Sequence, residues 1–472
     1  MARRLVVGID VGTTACKAAV FDVDGAELAV ARHPVTWRSV PTGAELDPYA
    51  LVAAAYAAAG AALDGIGGEV AGVGVTGMGE AGVLLDRAGA PVAPLIAWYD
   101  TRDRAEVARL GDDIGAAAFA RTAGLPLWSQ WSATKHRWQA ANDPAVRDAV
   151  RRLDVPAWVV RSLGGDDAAE LSQASRTGWL AVRRGAWWGR ALEWSRLDPA
   201  LLPPLVTAGT PLGRVTAGPE RLRGAVLTIA GHDHLAAAYG AGAVADGGEL
   251  ESCGTAEAFV RTVPTAEVSD DEIELLAGRG VTVGRHVVAD RFALLGATRG
   301  GLLLRRVRGL LDPDGDRLAA LDAAALALDT EPAEHVGLGD AGLDIRGVGE
   351  QSTPGSVWRA ALRAATGQAA EVHGAISAVA GPAREVIAVG GWTRSEAFMA
   401  LRAAAIPGLR RSEVTEPGAR GAALLGTQAM TVATASTPTP LPAAGTTAHL
   451  AADTSGANSG VQGSSRKGGR GE

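Results

Sequence analysis

The chain has 472 residues, of which 47% are hydrophobic and 21% charged, and its formal net charge is −7 at pH 7. Such a composition is typical of a globular protein of about two domains, and the negative charge argues against nucleic acid as a partner. Because the sequence holds only two cysteines, Cys16 and Cys253, and no apolar run long enough for a signal peptide or a membrane span, we expect a cytoplasmic protein without a membrane partner.

The first predicted element is a β-hairpin with a glycine–threonine turn. Residues 5–10 form an apolar strand, and residues 16–21 return as the second strand. Glycine lets backbone amides approach a phosphate closely, threonine hydroxyls add donors, lysine adds positive charge, and an aspartate can hold Mg²⁺ through water. The residues with this chemistry are Asp10, Gly12, Thr13, Thr14 and Lys17. The alternative is a plain hairpin whose Asp and Thr side chains only satisfy the turn.

A helix, a strand and a tryptophan-rich stretch follow. Residues 49–63 are typical of an Ala-rich helix, and residues 70–76 of a strand that ends in a glycine-rich loop containing Glu80. A loop carboxylate can accept two hydroxyl protons of a polyol, although a surface glutamate is the simpler interpretation when the loop is taken alone. Tryptophan offers a flat apolar face and one N–H donor, which suits the C–H face of a sugar.

The middle of the chain offers a carboxylate where a strand meets a helix. Residues 226–230 form an apolar strand, Gly231 breaks it, and Asp233 lies at the head of an Ala-rich helix between His232 and His234. The helix dipole and free amides are expected to hold this carboxylate ionised, so that it can accept a proton from a hydroxyl group. An N-cap role for Asp233 is the alternative, and it is compatible with catalysis. A metal site at His-Asp-His is disfavoured because adjacent residues cannot easily turn three side chains to one ion.

The second half of the chain repeats the strand–turn–strand pattern. Residues 251–257 place Gly254 and Thr255 in a turn between two strands, as in the first hairpin. This repetition predicts two similar domains that each contribute one turn to a shared phosphate site. Further on, Gly300 precedes a predicted helix and could approach nucleotide phosphates. No Walker-type loop occurs, and no G-x-G-x-x-G sequence opens a helix.

Four motifs carry a resemblance to a known family. They are D-V-G-T-T at residues 10–14, G-H-D-H at 231–234, S-C-G-T at 252–255 and V-I-A-V-G-G-W-T at 386–393. Over residues 5–430 the chain resembles the FGGY family of carbohydrate kinases, which includes glycerol kinase, xylulokinase and gluconate kinase. The resemblance implies an α/β fold of two ribonuclease H-like domains, as in the actin/Hsp70/sugar kinase superfamily, flanking an interdomain cleft.

The resemblance also implies the domain organisation. Residues 1–242 form an N-terminal kinase domain with the sugar site, the first phosphate turn and the catalytic base, and residues 243–432 form a C-terminal kinase domain with the second phosphate turn and an adenosine motif. Residues 433–472 are rich in Thr, Ser, Pro, Gly and Ala and cannot bury enough apolar surface to fold. We therefore expect a disordered low-complexity tail there.

The family's site roles fall on matching residues of this chain. Asp233 takes the place of the catalytic base, and Asp10 that of the Mg²⁺ contact, with water between the carboxylate and the ion. The implied nucleotide site comprises Asp10, Gly12, Thr13, Thr14, Lys17, Gly254, Thr255, Gly300, Gly390, Gly391 and Ser395. The implied substrate site comprises Met78, Glu80, Trp98, Asp100, Gln130, Asp233 and His234.

Several positions depart from the family patterns. Glycerol kinases carry Gln-Arg-Glu and xylulokinases Gln-Met-His where this chain has Met-Gly-Glu at residues 78–80. Gln130 stands where glycerol kinase has a tyrosine on glycerol, and many members have Gly and Asn or Gln at the positions of His232 and His234. The resemblance therefore leaves the acceptor open among a ketose such as xylulose, a sugar acid and a polyol.

The implied activity is transfer of the γ-phosphoryl group of ATP to a hydroxyl group of a small sugar or polyol, with Asp233 as general base and Mg²⁺ as cofactor. A homodimer is a possible assembly. One alternative is an actin-like or Hsp70-like ATPase, which shares both glycine–threonine turns but needs no sugar loop at Glu80 or Trp98. Another is a sugar-sensing protein without phosphotransfer, which the intact Asp10, Asp233 and Thr255 disfavour.

Overall fold

The computed structural model describes residues 3–339 and 342–435. Its strands are β1 (Arg4–Val11), β2 (Ala15–Asp22), β3 (Glu27–Pro34), β4 (Arg38–Val40), β5 (Gly43–Leu46), β6 (Glu69–Gly77), β7 (Gly82–Leu85), β8 (Leu95–Ile96), β9 (Arg151–Asp154), β10 (Ala169–Glu170), β11 (Leu180–Ala181), β12 (Ala186–Trp187), β13 (Leu205–Val206), β14 (Val226–His232), β15 (Gly248–Cys253), β16 (Glu257–Pro264), β17 (Val281–Arg285), β18 (Arg291–Thr298), β19 (His335–Gly339), β20 (Gly342–Arg346), β21 (Glu385–Val389) and β22 (Leu409–Arg411).

The α-helices of the described residues are α1 (Pro48–Leu63), α2 (Arg104–Asp113), α3 (Ala116–Ala123), α4 (Ser132–Asn142), α5 (Val155–Ser162), α6 (Leu171–Ala174), α7 (Gly189–Ser195), α8 (Asp233–Ala241), α9 (Asp270–Gly278), α10 (Gly300–Leu311), α11 (Leu318–Leu326), α12 (Pro354–Ala380), α13 (Glu396–Ala405) and α14 (Pro417–Ala435). Short 3-10 helices cover Pro144–Asp148, Pro199–Leu201, Glu220–Leu222, Thr265–Glu267 and Gly391–Arg394.

The first large sheet has the strand order β14-β6-β1-β2-β3. β1, β2 and β3 are antiparallel neighbours, whereas β6 runs parallel to β1, and β14 parallel to β6. Val7 and Ile9 of β1 share a core with residues of α1, while Val6 shares a core with residues of α14. Because successive strand side chains point to opposite faces, α1 and α14 cover the two faces of this sheet.

The second large sheet has the order β17-β18-β16-β15-β21-β22. β15, β16, β18 and β17 are antiparallel neighbours in turn, and β21 and β22 continue the sheet with parallel pairing. Both sheets thus join an antiparallel run to parallel strands on its other side. This repetition confirms the predicted α/β fold of two ribonuclease H-like domains.

The last helix packs closely on the first sheet through glycines. A Cβ added at Gly8 would lie 1.8 Å from the carbonyl oxygen of Ala419, and one at Gly74 would lie 1.9 Å from that of Ala422. Only residues without a side chain allow α14 to approach β1 and β6 so closely. The predicted C-terminal domain, residues 243–432, therefore includes a helix that belongs to the core of the first sheet.

The end of α14 overlaps the predicted tail. The helix runs to Ala435, so residues 433–435 are helical, and the rest of the predicted tail, residues 436–472, lies outside the described residues. In the part of the chain that the structure describes, no helix has the length and apolar character that a bilayer span requires.

Candidate active site

Both glycine–threonine turns open into one cleft. The cleft has a volume of about 670 Å³, and residues of both large sheets line it. Gly12 and Thr14 come from the β1–β2 turn, and Ser252 and Gly254 come from the β15–β16 turn. The first turn of α8, the segment after β21 and the start of α14 complete the wall. The fold therefore brings together the two turns that the sequence repetition paired.

The turns carry unbonded backbone donors. The amide N–H groups of Thr13, Thr14, Gly254 and Thr255 donate to no other described residue. Consecutive free amides in a tight turn form a concavity that attracts anions. Each turn is therefore suited to hold a phosphate group.

Close backbone approaches fix the second turn. Gly390, at the end of β21, has a φ of +103°, and a Cβ there would lie 2.7 Å from the carbonyl oxygen of Cys253. A Cβ at Gly301, in the first turn of α10, would lie 1.8 Å from the carbonyl oxygen of Gly254. Gly390 and Gly391 also line the cleft, where the resemblance implies the adenosine contact.

Asp10 lies at the end of β1 with an unsatisfied carboxylate oxygen. Its Oδ1 is buried without a hydrogen-bond partner among the described residues, and its Oδ2 lies 3.7 Å from Lys17 Nζ. Burial raises the pKa of Asp10, while the charge of Lys17 opposes the rise. A buried carboxylate oxygen without a hydrogen-bond partner, next to the free amides of the β1–β2 turn, fits a contact to Mg²⁺. Mg²⁺ is a hard cation that prefers oxygen ligands. The described residues contain no cluster of three acidic, His or Cys side chains for a metal, so phosphate or water oxygens would have to complete its coordination.

Asp233 is the first residue of α8 and lines the cleft. Its Oδ1 accepts the N–H of His234 at 2.7 Å, and His232 occupies the N-cap position that was the alternative role for Asp233. Burial raises the pKa of Asp233 to about 7, the bond from His234 opposes this, and the charge of Glu80 adds to the rise. The sequence led us to expect a carboxylate held ionised by the helix start, whereas burial disfavours the ionised form of Asp233 in the folded chain. A pKa near 7 suits a general base at neutral pH.

Glu80 is the centre of a buried polar cluster. It is 6% exposed and has a φ of 65°, an uncommon backbone conformation for a residue with a side chain. Its Oε1 accepts hydrogen bonds from Arg176 Nε at 2.8 Å and from Gln130 Nε2 at 3.0 Å, and it lies 2.7 Å from Arg176 Nη2 in an ion pair. Its Oε2 has no hydrogen-bond partner among the described residues. One carboxylate oxygen thus remains for a ligand hydroxyl.

Arg176 is a site residue that the sequence reasoning missed. Its Nη1 donates to Thr282 Oγ1 on β17 at 2.7 Å, so its guanidinium joins the Glu80 loop to the second sheet. The same group lies 5.0 Å over the ring of Trp131. The sequence feature that could have drawn attention to Arg176 is its place in a segment rich in Ser and Thr, residues 171–178. Its contact partners, however, are remote in the sequence.

Thr13 connects the first phosphate turn to the predicted acceptor residues. Trp98 Nε1 donates to Thr13 Oγ1 at 3.1 Å, and this hydroxyl lies 3.7 Å from Met78 Sδ. Trp37 Nε1 donates to the Thr13 carbonyl oxygen at 2.7 Å. The Thr13 side chain is therefore engaged by two of the predicted acceptor residues, and its amide N–H makes no hydrogen bond to a described residue.

Comparison with known proteins agrees with this geometry. Models of the FGGY family of carbohydrate kinases match the chain, the N-terminal domain over residues 5–240 and the C-terminal domain over residues 337–430. The chain belongs to this family. FGGY carbohydrate kinases are phosphotransferases that use an alcohol group as acceptor, and the predicted family is confirmed.

Relatives of this FGGY-family chain include kinases of different acceptors. The xylulose kinase of Streptomyces coelicolor is 34% identical over 246 residues, and the chain spans about half the length of that relative, 50% of each protein. The glycerol kinase of Aromatoleum aromaticum is 28% identical over 452 residues, with 89% of each chain covered. The structure of xylulose kinase from Rhodospirillum rubrum matches with a TM-score of 0.77 and 25% identity, covering 90% of this chain and 91% of that one.

Asp100 does not follow its predicted role as an acceptor contact. It is fully buried, and Arg102 donates to both of its oxygens, from Nε and Nη2, at 2.9 Å. The amide N–H of Ala44 also donates to Oδ2, at 3.1 Å. Because these donors satisfy the carboxylate, Asp100 organises the loop before α2 and leaves no oxygen for a ligand.

Two residues predicted to contact the nucleotide instead make hydrogen bonds within the protein. Ser395 is fully buried, accepts the N–H of Phe398 as the cap of α13, and donates to Asp322 Oδ1 at 2.8 Å. The N–H of Gly300 donates to Thr298 Oγ1 at 3.2 Å. Neither residue lines the cleft. Their hydrogen bonds lie at the N-terminal ends of α10 and α13.

The remaining residues of the predicted nucleotide and substrate sites fall into two groups, those that line the cleft and those that do not. Lys17 and His234 line the cleft, whereas Met78 and Trp98 lie outside its lining and contact the Thr13 hydroxyl group. Burial lowers the pKa of His234 to about 4, so its ring is neutral at pH 7. Thr255 is exposed in the second turn.

Asp233→Asn is expected to stabilise the fold more at pH 8 than at pH 5. The ordinary carboxyl pKa of 3.8 is raised to about 7 in the folded chain, so the ionised form is disfavoured by folding. The wild type therefore loses stability as the pH rises between these two values, and an uncharged amide does not. Thermal denaturation midpoints of both proteins at the two pH values measure the effect.

A matched control for this experiment is Asp22→Asn. A hydrogen bond from Arg3 lowers the pKa of Asp22, so its ionised form supports the fold above its ordinary pKa. The Asp22 variant should gain no stability at pH 8. An Asp233→Asn gain of the same size at both pH values would contradict the raised pKa.

Proposed function

We propose that the protein transfers the γ-phosphoryl group of ATP to a hydroxyl group of an uncharged sugar or polyol. The observation that carries the proposal is the shared cleft, because Asp233 and both glycine–threonine turns line it. Xylulose kinases and glycerol kinases among the relatives support the same chemistry.

The phosphates of ATP would lie between the two turns. The free amides of the turns are donors for phosphate oxygens, and Lys17 supplies positive charge beside them. Asp10 would hold Mg²⁺ through its unbonded Oδ1, with water between them. Mg²⁺ bound with ATP supplies neutralisation of charge on the phosphates. Gly390 and Gly391 then fall beside the nucleoside end.

Asp233 takes the proton of the attacking hydroxyl. The acceptor oxygen forms its bond to the γ-phosphorus while the bond from that phosphorus to the bridging oxygen breaks, and ADP leaves with the electron pair. The hydroxyl proton moves to Asp233 Oδ2, since Oδ1 already accepts the amide of His234. The proton passes to water after the product leaves, and the carboxylate is restored.

The residues beside the base favour an uncharged acceptor. Glu80 and Asp233 both carry carboxylates, and the charge of Glu80 raises the pKa of Asp233. Arg176 is the cation in contact with Glu80 in the described residues, and its Nε, Nη1 and Nη2 are already engaged with Glu80 or Thr282. A sugar acid would bring a further carboxylate against these like charges. A ketose or polyol offers only hydroxyl groups, which Glu80 Oε2 can accept.

Coupled ADP-release assays with xylulose, glycerol, xylitol and gluconate test the proposal. We expect ADP release that depends on a ketose or polyol, with a phosphate ester as product by ³¹P NMR. Gluconate should be used with a kcat/KM lower by more than about tenfold, because of like-charge repulsion. Equal use of gluconate would contradict the uncharged acceptor. ADP release that does not respond to any acceptor would instead indicate an ATPase of the actin or Hsp70 kind.

A further inference from the structure

His232 lies beside the proposed base and faces it. The residue is 3% exposed, and its Nδ1 lies 3.2 Å from Asp233 Oδ1. This Nδ1 has no aligned hydrogen bond to any described residue. Hydrogen bonds of catalytic groups are often poorly aligned before ligands bind and tighten afterwards. A buried, unpaired ring nitrogen is therefore available to the carboxylate.

The backbone holds the His232 ring in this place. The N–H of His232 donates to Ser172 Oγ at 2.9 Å, and Ser172 Oγ donates to Glu170 Oε2 at 2.5 Å. Ser172 is 1% exposed and Glu170 is fully buried. The end of β14 is thus tied to α6 at the backbone of His232.

Gly79 provides the space for the other edge of the ring. A Cβ at this position would lie 2.7 Å from His232 Cδ2, 3.0 Å from His232 Nε2 and 3.2 Å from Arg176 Cγ. The φ of Gly79 lies outside the left-handed region, so the backbone itself would accept a side chain there. The requirement for glycine therefore comes from the His232 ring and from Arg176.

The His232 ring is neutral at pH 7. Burial, together with the positive charge of Arg176, holds the pKa of His232 well below its ordinary value of 6.5. A neutral imidazole carries one N–H, and the group bonded to the ring selects which nitrogen holds it. The carboxylate oxygen beside Nδ1 favours the hydrogen on that nitrogen.

We propose that His232 is a positioning residue for the base and that Gly79 is its matched partner. The Nδ1–H group of His232 holds Oδ1 of Asp233, so that Oδ2 is aimed at the acceptor hydroxyl. Gly79 keeps the ring in place by leaving room for its Cδ2 and Nε2 edge. This inference rests on the proposed phosphoryl transfer and adds two residues to it.

Three substitutions of His232 test the donor. In His232→Asn the amide nitrogen takes the place of Nδ1, in His232→Gln it takes the place of Nε2, and His232→Leu has no donor. We expect kcat to fall by about 10- to 100-fold in the Gln and Leu variants, the loss typical of one hydrogen bond to a charged group. The Asn variant should stay within about threefold of wild type, and KM for ATP should change little in all three. If the Leu variant does not fold, the contrast between Asn and Gln decides the question.

The space at residue 79 is tested by a double-mutant cycle. Gly79→Ala should lower kcat because the added methyl group displaces the His232 ring, and it should cost much less in the His232→Asn background. The control is Gly67→Ala, since a Cβ there would meet no atom within 4 Å. Additive losses in the cycle, or equal kcat for wild type and His232→Leu, would overturn the proposal.

A spectroscopic measurement separates this inference from the proposed activity. ¹⁵N NMR of the histidine rings in the full chain, assigned with His232→Asn, should show the Nδ1–H tautomer for His232 and a changed signal in Asp233→Asn. The Nε2–H tautomer would overturn the inference. A wild type that phosphorylates no acceptor would refute the proposed function, whereas the tautomer would still decide the His232 contact.

Discussion

Asp233→Asn is expected to lower kcat for acceptor phosphorylation by about 10²- to 10⁴-fold, the usual contribution of a general base. The amide cannot take the hydroxyl proton, although its size and its bond to the amide of His234 are similar to those of the carboxylate. KM for ATP should stay within about threefold, because the proposed phosphate contacts come from the two turns. Steady-state kinetics with the best acceptor of the panel measure both values.

The pH dependence of the wild type provides a second test of the same role. The base must be ionised, so kcat/KM for the acceptor should rise with pH through about 7 and then level off. Asp64→Asn, at an exposed position after α1, is the matched control and should leave kcat unchanged. Turnover by Asp233→Asn within tenfold of wild type would contradict the assignment of the base.

Arg402→Met is expected to lower the free energy of unfolding by about 3–5 kcal/mol, the cost of breaking a buried ion pair on one side. Arg402, Glu251 and Glu257 are each fully buried, and the two glutamates lie on the strands that flank the β15–β16 turn. Arg402 Nη1 donates to Glu251, and Nη2 lies 3.1 Å from Glu257 Oε1. Methionine preserves much of the volume but leaves two buried carboxylates without a cation. Urea denaturation at pH 8 measures the loss.

The sign of the pH dependence follows from Glu251. Burial raises the pKa of Glu251 from its ordinary value of 4.5 to about 7 despite the charge of Arg402. Between these two pH values the folded chain therefore disfavours the ionised form of Glu251. The loss in Arg402→Met should therefore be larger at pH 8 than at pH 5, where Glu251 can be protonated. Arg410→Met removes an exposed partner of Glu385 and should cost at most about 1 kcal/mol. Equal stability of the two variants would contradict the buried network.

Local sequence patterns were sufficient for the parts of the site that one hairpin builds. Asp10 and Gly12 at the end of β1 follow from an apolar strand that breaks into a turn, and Gly254 repeats the same pattern. The position of Asp233 follows from a strand that ends where an Ala-rich helix begins. In these places the position of the residue is set within about ten residues of chain, so the sequence contains the needed information.

Contacts between remote segments could not be predicted in this way. The role of Arg176 depends on Glu80 and Thr282, which lie 96 and 106 residues away in the sequence. Asp100 has the residue type of a sugar contact, but the amide of Ala44 and the guanidinium of Arg102 satisfy its oxygens. The raised pKa of Asp233 likewise results from burial by segments that meet only in the folded chain.

The most direct measurement is a crystal structure with a nonhydrolysable ATP analogue, Mg²⁺ and an acceptor that the assays identify. We expect the terminal phosphate between the β1–β2 and β15–β16 turns, and an acceptor hydroxyl oxygen about 2.6–3.2 Å from Asp233 Oδ2, the range for a general base. Glu80 should accept a second hydroxyl of the same acceptor. A terminal phosphate bound away from either turn, or an acceptor hydroxyl that another residue contacts in place of Asp233, would contradict the proposed mechanism.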